Sequence, residues 1–490
     1  MPLTSRSDDF AQWYVELVRQ AQLADYSPVR GCIVVRPYGF ALWENIRDAL
    51  DRRIKETGHE NMYFPLFVPK SFLEKEAEHV EGFNPQVAWV THGGGAPLAE
   101  WLAVRPTSEA IIGPIYRDYI QSYRDLPVLV NQWSNVVRWE LRTRPFLRTT
   151  EFLWQEGHTF HATADEAQEE TEKMLGVYNE IWEEWLAIPA ILGRKSEAER
   201  FPGADVTLTG ESLMGDRRAL QMGTSHNLGQ NFARGFDIRF LDRDNERKFP
   251  HGTSWGFSWR TIGAVIMAHG DDRGLIMPPR VAPTQVVVVP IWKTDAERGA
   301  VEPVVARVLG ELKEQQVFGS QKIRARADWR DDMTPGFKFN EWELRGVPLR
   351  LEIGPRDVAA GTCVLASRLD ADAGRSAKEA VPLEGLAAEL ATRLEAFQGA
   401  LFARAEAFQV EHTHVVDSWD EFVRINAEEG GFLLAGWCGS AQCEAEVQAE
   451  TQATLRVIPL PGQLAEADEA GACIRCGSAS EQRVVFAKAY

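Results

Sequence analysis

RWELRTRPFLRTTEFLWQEGHTFH, residues 138–161, packs arginines, carboxylates and a tryptophan/histidine pair around one short turn. Arg138, Arg142, Arg144 and Arg148 are interrupted by a single acid, Glu140. Arginine suits planar, bidentate recognition of phosphate or carboxylate, so the cluster predicts a bound polyanion, with a nucleotide as the natural guest. Alternation along FLWQEGHTFH puts Trp154, Glu156 and His158 on one face of a strand. The stretch therefore predicts two strands joined by an Arg/Pro loop, with a small, partly apolar substrate beside the anion. The competing reading is a solvated arginine-rich hairpin whose tryptophan is simply core.

Working outward, the chain has 490 residues, 44% hydrophobic and 25% charged, enough for about three domains. No run of 18 apolar residues occurs, and the acidic, amphipathic N-terminus lacks the apolar centre of a signal peptide, so neither a membrane span nor a leader is expected. Six cysteines are too sparse for a disulfide scaffold and imply a reducing, cytoplasmic setting. The net charge of -18 works against a nucleic-acid partner. Lys322, Arg324, Arg326, Arg330, Lys338, Arg345, Arg350 and Arg356, set against seven acids in 322–357, make a near-neutral island that permits an RNA face.

Residues 7–25 place Phe10, Trp13, Tyr14, Leu17 and Val18 at helical spacing. Thr163 and Glu166, like Thr294 and Glu297, form capping-box pairs that open helices. Prolines 278, 279 and 283 break the chain before QVVVVPI, and the following β-α-β-α-β alternation through QKIRAR, Thr334-Pro335 and VPLRLEIG predicts a separate α/β domain with a largely parallel sheet. A helix over 383–409 leads to a third region organised by cysteines. Cys438-x4-Cys443 and Cys473-x2-Cys476 form two knuckles, and no histidine follows His414. A tetrahedral metal there would be held by four thiolates, a closed and therefore structural site; four unrelated thiols are the alternative. Cys32 and Cys363 read as buried thiols.

RWE, PFLRT and EFLWQEGHT together resemble motif 2 of the class II aminoacyl-tRNA synthetases, in the wording of the prolyl enzymes of archaeal and eukaryotic type. RGCIVVRPYGFALWENI through FPLFVP is similar to motif 1, RPTSE to the amino-acid-binding loop, and SWGFSWRTIGAVIMAHGDDRGLIMPPRVAP to motif 3. QMGTSHNLGQNF, WELRGVPLRLEIGPRD and the cysteine quartet continue the likeness over nearly the whole chain. The resemblance implies an α+β protein: a class II antiparallel-sheet catalytic domain over 1–282, an anticodon-binding α/β domain over 283–398 and a C-terminal zinc-binding α+β domain over 399–490. It also implies ATP-dependent activation of L-proline to prolyl-adenylate, transfer to tRNA(Pro), and a homodimer formed through motif 1. The segment between motif 2 and GTSHNLGQNF is too short for the large editing domain of bacterial-type prolyl enzymes, so no proofreading in cis is expected.

Activation needs the proline carboxylate to attack the α-phosphate, so catalysis is positioning plus charge neutralisation. By resemblance, Arg138 sits between carboxylate and α-phosphate, and Arg148 and Arg260 hold the outer phosphates and adenine. Gln221 helps place the nucleotide and its Mg2+, while Thr149, Thr224 and Ser258 add nucleotide contacts. Thr107 and Glu109 match the ammonium-binding loop; Trp154, Glu156, His158 and His226 match the lining of the proline pocket. Taken alone, His226 reads as a satisfied core histidine, but Gly223 in GTSHNLGQNF invites close backbone approach there. Cys438, Cys443, Cys473 and Cys476 match a structural Zn2+ site. The apolar run in EQRVVFAKAY reads as a strand, and Tyr490 matches a terminal tyrosine whose carboxylate folds back toward the active site. A sister synthetase such as the threonyl enzyme, a non-enzymatic RNA-binding paralogue and a zinc hydrolase are the competing functions. The first uses a pocket zinc, whereas all the paired cysteines here are C-terminal. The second should have lost Arg138, Glu109 or Arg260, and the third lacks His/Glu ligand spacing.

Overall fold

Helix α1 (Phe10–Gln20) buries Trp13, Tyr14, Leu17 and Val18, as their spacing requires, and Asp9 caps it by accepting from the Gln12 N–H at 2.9 Å. Burial of each such side chain contributes about 1.5–3 kcal/mol. Helix α2 (Pro37–Glu56) starts on a proline, whose fixed φ suits a first turn. The computed structural model describes residues 2–79, 86–369 and 377–490. A central sheet follows, from β1 (Glu60–Asn61), then helix α3 (Glu109–Tyr119), β2 (Val128–Val137), β3 (Glu151–His161), helix α4 (Ala164–Glu180), β4 (Ile191–Arg194), β5 (Val206–Leu213), β6 (Ala219–Gly229), β7 (His251–Ser258) and helix α5 (Arg260–His269).

β2 and β3 pair antiparallel from Val128↔Phe160 to Val137↔Glu151, so the arginine-rich stretch is the expected hairpin. α4 opens on the Thr163/Glu166 capping box and runs into a π turn, Ile181–Trp185, whose buried Trp182 packs against Gly210 and Gly223 of the sheet. Glycine makes that approach possible. A Cβ at Gly210 would stand 2.2 Å from the Trp182 ring, and one at Gly223 would meet both that ring at 3.0 Å and the Gly256 carbonyl at 3.1 Å.

The second unit contains β8 (Val286–Pro290), helix α6 (Asp295–Glu314), β9 (Ala325–Ala327), helix α7 (Pro335–Leu344), β10 (Leu349–Ile353), β11 (Thr362–Ser367) and β12 (Lys378–Pro382). Its order is β9-β8-β10-β11-β12. β8, β9 and β10 are parallel, but β11 and β12 join antiparallel, which corrects the expectation of a largely parallel sheet. The cause is local: β10 returns into β11 through one short helix, Pro355–Ala360, without a crossover. QKIRAR is also broken into Gln321–Lys322 and β9. Most of the island's cations are engaged within the protein. Arg324 donates to the carbonyls of Pro279, Arg280 and Ala282, Arg330 pairs with Asp328 and Glu341, and buried Lys338 donates to the Asp328 carbonyl at 3.1 Å.

Helix α8 (Leu386–Glu411) crosses from the second unit to the third, past the boundary expected at 398. The third unit has β13 (Thr413–Val415), β14 (Phe432–Gly436), helix α9 (Ala441–Thr451), β15 (Thr454–Pro459) and β16 (Arg483–Ala487). These strands extend the central sheet, because β15 pairs with β4 at Ile458↔Arg194 and Pro459↔Gly193. The result is one 11-stranded sheet in the order β13-β14-β16-β15-β4-β5-β6-β7-β3-β2-β1, antiparallel except at its two outer pairs. Among the described residues no helix is long and apolar enough to cross a membrane.

Candidate active site

Strand register builds the floor of a cleft of about 830 Å3. On one row, β3 Glu156 faces β2 Gln132 on one side and β7 Gly256 on the other, and Gly256 faces β6 Thr224. On the next, His158 faces Ser254, Ser254 faces His226, and His226 faces β5 Thr207. Trp154 pairs with Ser258. Alternation points each of these rows to the same side. The walls come from loops and helix ends: Thr107 and Glu109 before and at the start of α3, Arg138 beyond β2, Arg148 ahead of β3, and Arg260 at the start of α5.

Two electrostatic halves result. In one, Glu156 accepts from the Gln132 amide at 2.8 Å and from the Ser108 hydroxyl, and meets His158 Nε2 at 3.0 Å. Burial opposes charge on both partners, but their hydrogen bond and mutual attraction hold Glu156 below and His158 above its ordinary pKa. Glu109 is buried and accepts from the Thr107 hydroxyl. His226 is held between hydroxyls, Thr207 at Nδ1 (2.9 Å) and Thr224 at Nε2 (3.0 Å). Burial, with Arg138 and His158 nearby, pushes it down to about 3, so it is neutral at pH 7.

The other half is cationic. Arg138 Nε donates to the Pro106 carbonyl at 3.0 Å, and its guanidinium lies over the rings of Trp154 (5.3 Å) and Phe152 (5.4 Å). Arg260 Nε donates to the Leu147 carbonyl at 3.1 Å. Burial, then repulsion from Arg148 and Arg138, lowers its pKa to about 10, still cationic at neutral pH. Arg148 stands 3.8 Å from Glu140. Arg138 and Arg260 make no ion pair with a carboxylate among the described residues, and with Arg148 they form a line of guanidiniums arranged for an anion.

Of the residues expected at the site, Thr107, Glu109, Arg138, Arg148, Trp154, Glu156, His158, Gln221, Thr224, His226, Ser258 and Arg260 all line the cleft. Thr149 does not; it is buried with its hydroxyl unpartnered among the described residues. Tyr490 lies outside the lining, its N–H donating to the Ala219 carbonyl at 3.2 Å and its hydroxyl to Asp216 at 2.5 Å, with Arg218 and Arg144 over its ring. No described cation pairs with its carboxylate. Ser108, Gln132, Thr207, Glu199 and Phe201 were not anticipated. Strand alternation could have found Gln132, but only with the pairing register to β3 in hand.

In the third unit the thiol sulfurs of Cys438, Cys443, Cys473 and Cys476 all lie within 4.8 Å of one another, with Cys438 at 3.7 Å from Cys443 and 3.8 Å from Cys476. A tetrahedral Zn–S shell of about 2.3 Å has S···S edges of about 3.8 Å, so the donor set and spacing fit one such ion.

Family models match along the chain: tRNA synthetase class II core domain (G, H, P, S and T) at 95–269, anticodon binding domain at 285–393, and prolyl-tRNA synthetase, C-terminal, at 419–490. The chain is 52% identical to a proline--tRNA ligase of Natranaerobius thermophilus over all of itself and 98% of that protein, and 54% identical to one of Roseiflexus castenholzii over all of itself and 99% of that protein. A crystal structure of prolyl-tRNA synthetase from Cryptosporidium parvum, complexed with halofuginone and AMPPNP, superimposes with a TM-score of 0.91 at 36% identity, covering all of this chain and 97% of that one. With identity above one half maintained from end to end, and the class II core, anticodon-binding and C-terminal modules matched in order, the chain belongs to the prolyl-tRNA synthetases, a family of class II aminoacyl-tRNA synthetases.

Proposed function

We propose that the cleft condenses L-proline with ATP to prolyl-adenylate and passes the prolyl group to tRNA(Pro). The observation that carries this is the division of one cleft into an acidic, aromatic half beside a row of three arginines. On the amino-acid side, Glu109 with Thr107 takes the substrate ammonium, while Trp154, Glu156, His158 and His226 enclose the ring. Arg138 stands between the two halves and neutralises charge shared by the carboxylate and the α-phosphate. Arg148 and Arg260 hold the remaining phosphates and the adenine, with Thr224 and Ser258 as further nucleotide contacts. Such preorganised donors act where charge develops and need no reorganisation at the moment of reaction. Mg2+ with ATP screens the phosphates in class II enzymes; Gln221, in the cleft lining, would help place an ion that keeps most of its shell from phosphate and water. Pyrophosphate exchange dependent on proline, compared with threonine, serine and cysteine, tests the assignment; exchange driven as well by threonine would refute it.

Several finer features belong to the same proposal. Domains over 1–282, 283–398 and 399–490 are supported by a main apolar core in each, although Ile191, Leu213 and Ala219 share a further cluster with Phe432, Leu434, Val457 and Val485. Membership of the archaeal and eukaryotic type is supported by the C-terminal thiol quartet and by Tyr490 seated beside the strand that carries Gln221. The absence of editing in cis is supported by residues 162–220, whose α4, β4 and β5 belong to the catalytic fold. A homodimer is supported by exposed Tyr26, Val29, Val34 and Tyr63 around motif 1, and a zinc ion by the thiol spacing. A reducing, cytoplasmic setting agrees with the unbridged cysteines.

A further inference from the structure

The loop between β4 and β5 carries Glu199, Phe201 and Pro202 into the cleft, yet its base is held from behind by the C-terminal module. Ser196 Oγ donates to buried Glu444 at 2.7 Å and accepts from the Glu199 N–H at 3.3 Å. Glu444 lies on α9, next to Cys443 of the thiol quartet. Lys195, also buried, donates to the Arg456 carbonyl at 2.7 Å and to Glu211 at 2.8 Å, while the Arg456 guanidinium closes on the same carboxylate at 3.0 Å. At its other end the loop meets the site directly. The Phe201 N–H donates to Thr207 Oγ1 at 3.1 Å, that hydroxyl contacts His226 at 2.9 Å, and the Phe201 and His226 rings lie 4.6 Å apart.

We propose that Ser196 is a positioning residue for proline binding: through its hydrogen bonds to Glu444 and Glu199, the C-terminal module sets the placement of Phe201 and Pro202 against the amino-acid side of the cleft. The inference rests on the proline-side assignment made above. The ion cluster of Lys195, Glu211 and Arg456 anchors the start of the loop, and the Ser196 hydroxyl is the next link, turning the chain toward the substrate. Loosening that link leaves the arginines of the nucleotide half untouched, because Arg138, Arg148 and Arg260 are held by Pro106, Glu140 and Leu147 instead.

In the full-length enzyme, Ser196→Ala is expected to raise the KM for proline about tenfold, the scale of one hydrogen bond to a charged group. KM for ATP, kcat and the metal content of the quartet should stay within about twofold of the parent. Ser196→Thr retains the hydroxyl and should restore the proline KM. Glu444→Ala approaches the same contact from the module and should raise it by a similar factor, without adding to Ser196→Ala in the double variant. An equal rise in both KM values, an unchanged proline KM, or no rescue by threonine would each overturn the proposal. Glu109→Gln separates the two layers: an unchanged proline KM there would instead remove the amino-acid-side assignment.

Discussion

Arg138→Ala removes the one guanidinium that touches both halves of the cleft. Its Nε is anchored on the Pro106 carbonyl at 3.0 Å and its plane lies over Trp154, so the group is fixed before substrate arrives. Its Nη donors have no hydrogen-bond partner among the described residues and are free for the carboxylate and α-phosphate. Deleting one preorganised donor from a desolvated site costs about 2.7–4 kcal/mol of transition-state stabilisation, or roughly 10²–10³ in rate. The folded state should lose less, about 1–2 kcal/mol, since only one neutral-acceptor hydrogen bond and the ring contacts go. Arg138→Lys keeps the charge but cannot hold the Pro106 carbonyl and still present two parallel donors, so it should recover little of the lost rate. The assay is proline-dependent pyrophosphate exchange at saturating proline and ATP, with the thermal midpoint and oligomeric size as controls on folding. Exchange within a few-fold of the parent would refute the role assigned to Arg138.

Alanine should be activated at a detectable rate, since a pocket shaped for the proline ring excludes a smaller apolar substrate by only about 1–3 kcal/mol per missing methylene. Mischarged Ala-tRNA(Pro) should then persist, and rapid deacylation by the purified enzyme alone would reveal an editing site. Zinc should be bound at one ion per chain and lost in Cys438→Ser/Cys476→Ser; tight zinc retained in that variant would place the metal elsewhere. Burial pushes both His226 and His269 down to about 3, whereas in the unfolded chain each titrates near 6.5. The unfolded state therefore takes up more protons below pH 6.5, and stability should fall as the pH drops from there toward 3. His226→Gln should shrink the loss between pH 6.5 and 5 by about 2 kcal/mol, read from urea midpoints, and an unchanged loss would contradict its neutral burial. Deleting Tyr490, or extending the chain past it, should slow adenylate formation without unfolding; unchanged exchange in both forms would make the terminus a bystander.

Much of the site was legible because its spacing is local. Trp154, Glu156 and His158 follow from alternation along one strand, and Arg138 and Arg148 from their clustering on one turn. What escaped depends on register or distance. Gln132 matters because it falls opposite Glu156, and Thr207 because it falls opposite His226, facts fixed only when strands align. Glu211 and Arg456 read as ordinary charges in sequence, yet they meet across 245 residues in a buried pair. β11 and β12 were missed because TCVLAS and KEAVP carry no clean period-two alternation of apolar and polar residues. The union of the C-terminal strands with the central sheet rests on two residue pairs, Ile458↔Arg194 and Pro459↔Gly193, and no sequence pattern marks them.

That union has a consequence for biosynthesis. β16 lies between β14 and β15 inside the sheet, although its residues, 483–487, are made after both of those neighbours. Until they emerge, β14 and β15 each lack the neighbour between them, so the half-made chain presents open strand edges of the kind that recruit other chains. A nascent chain stalled before residue 483 would thus be a substrate for chaperones or proteases even with every arginine of the cleft already synthesised.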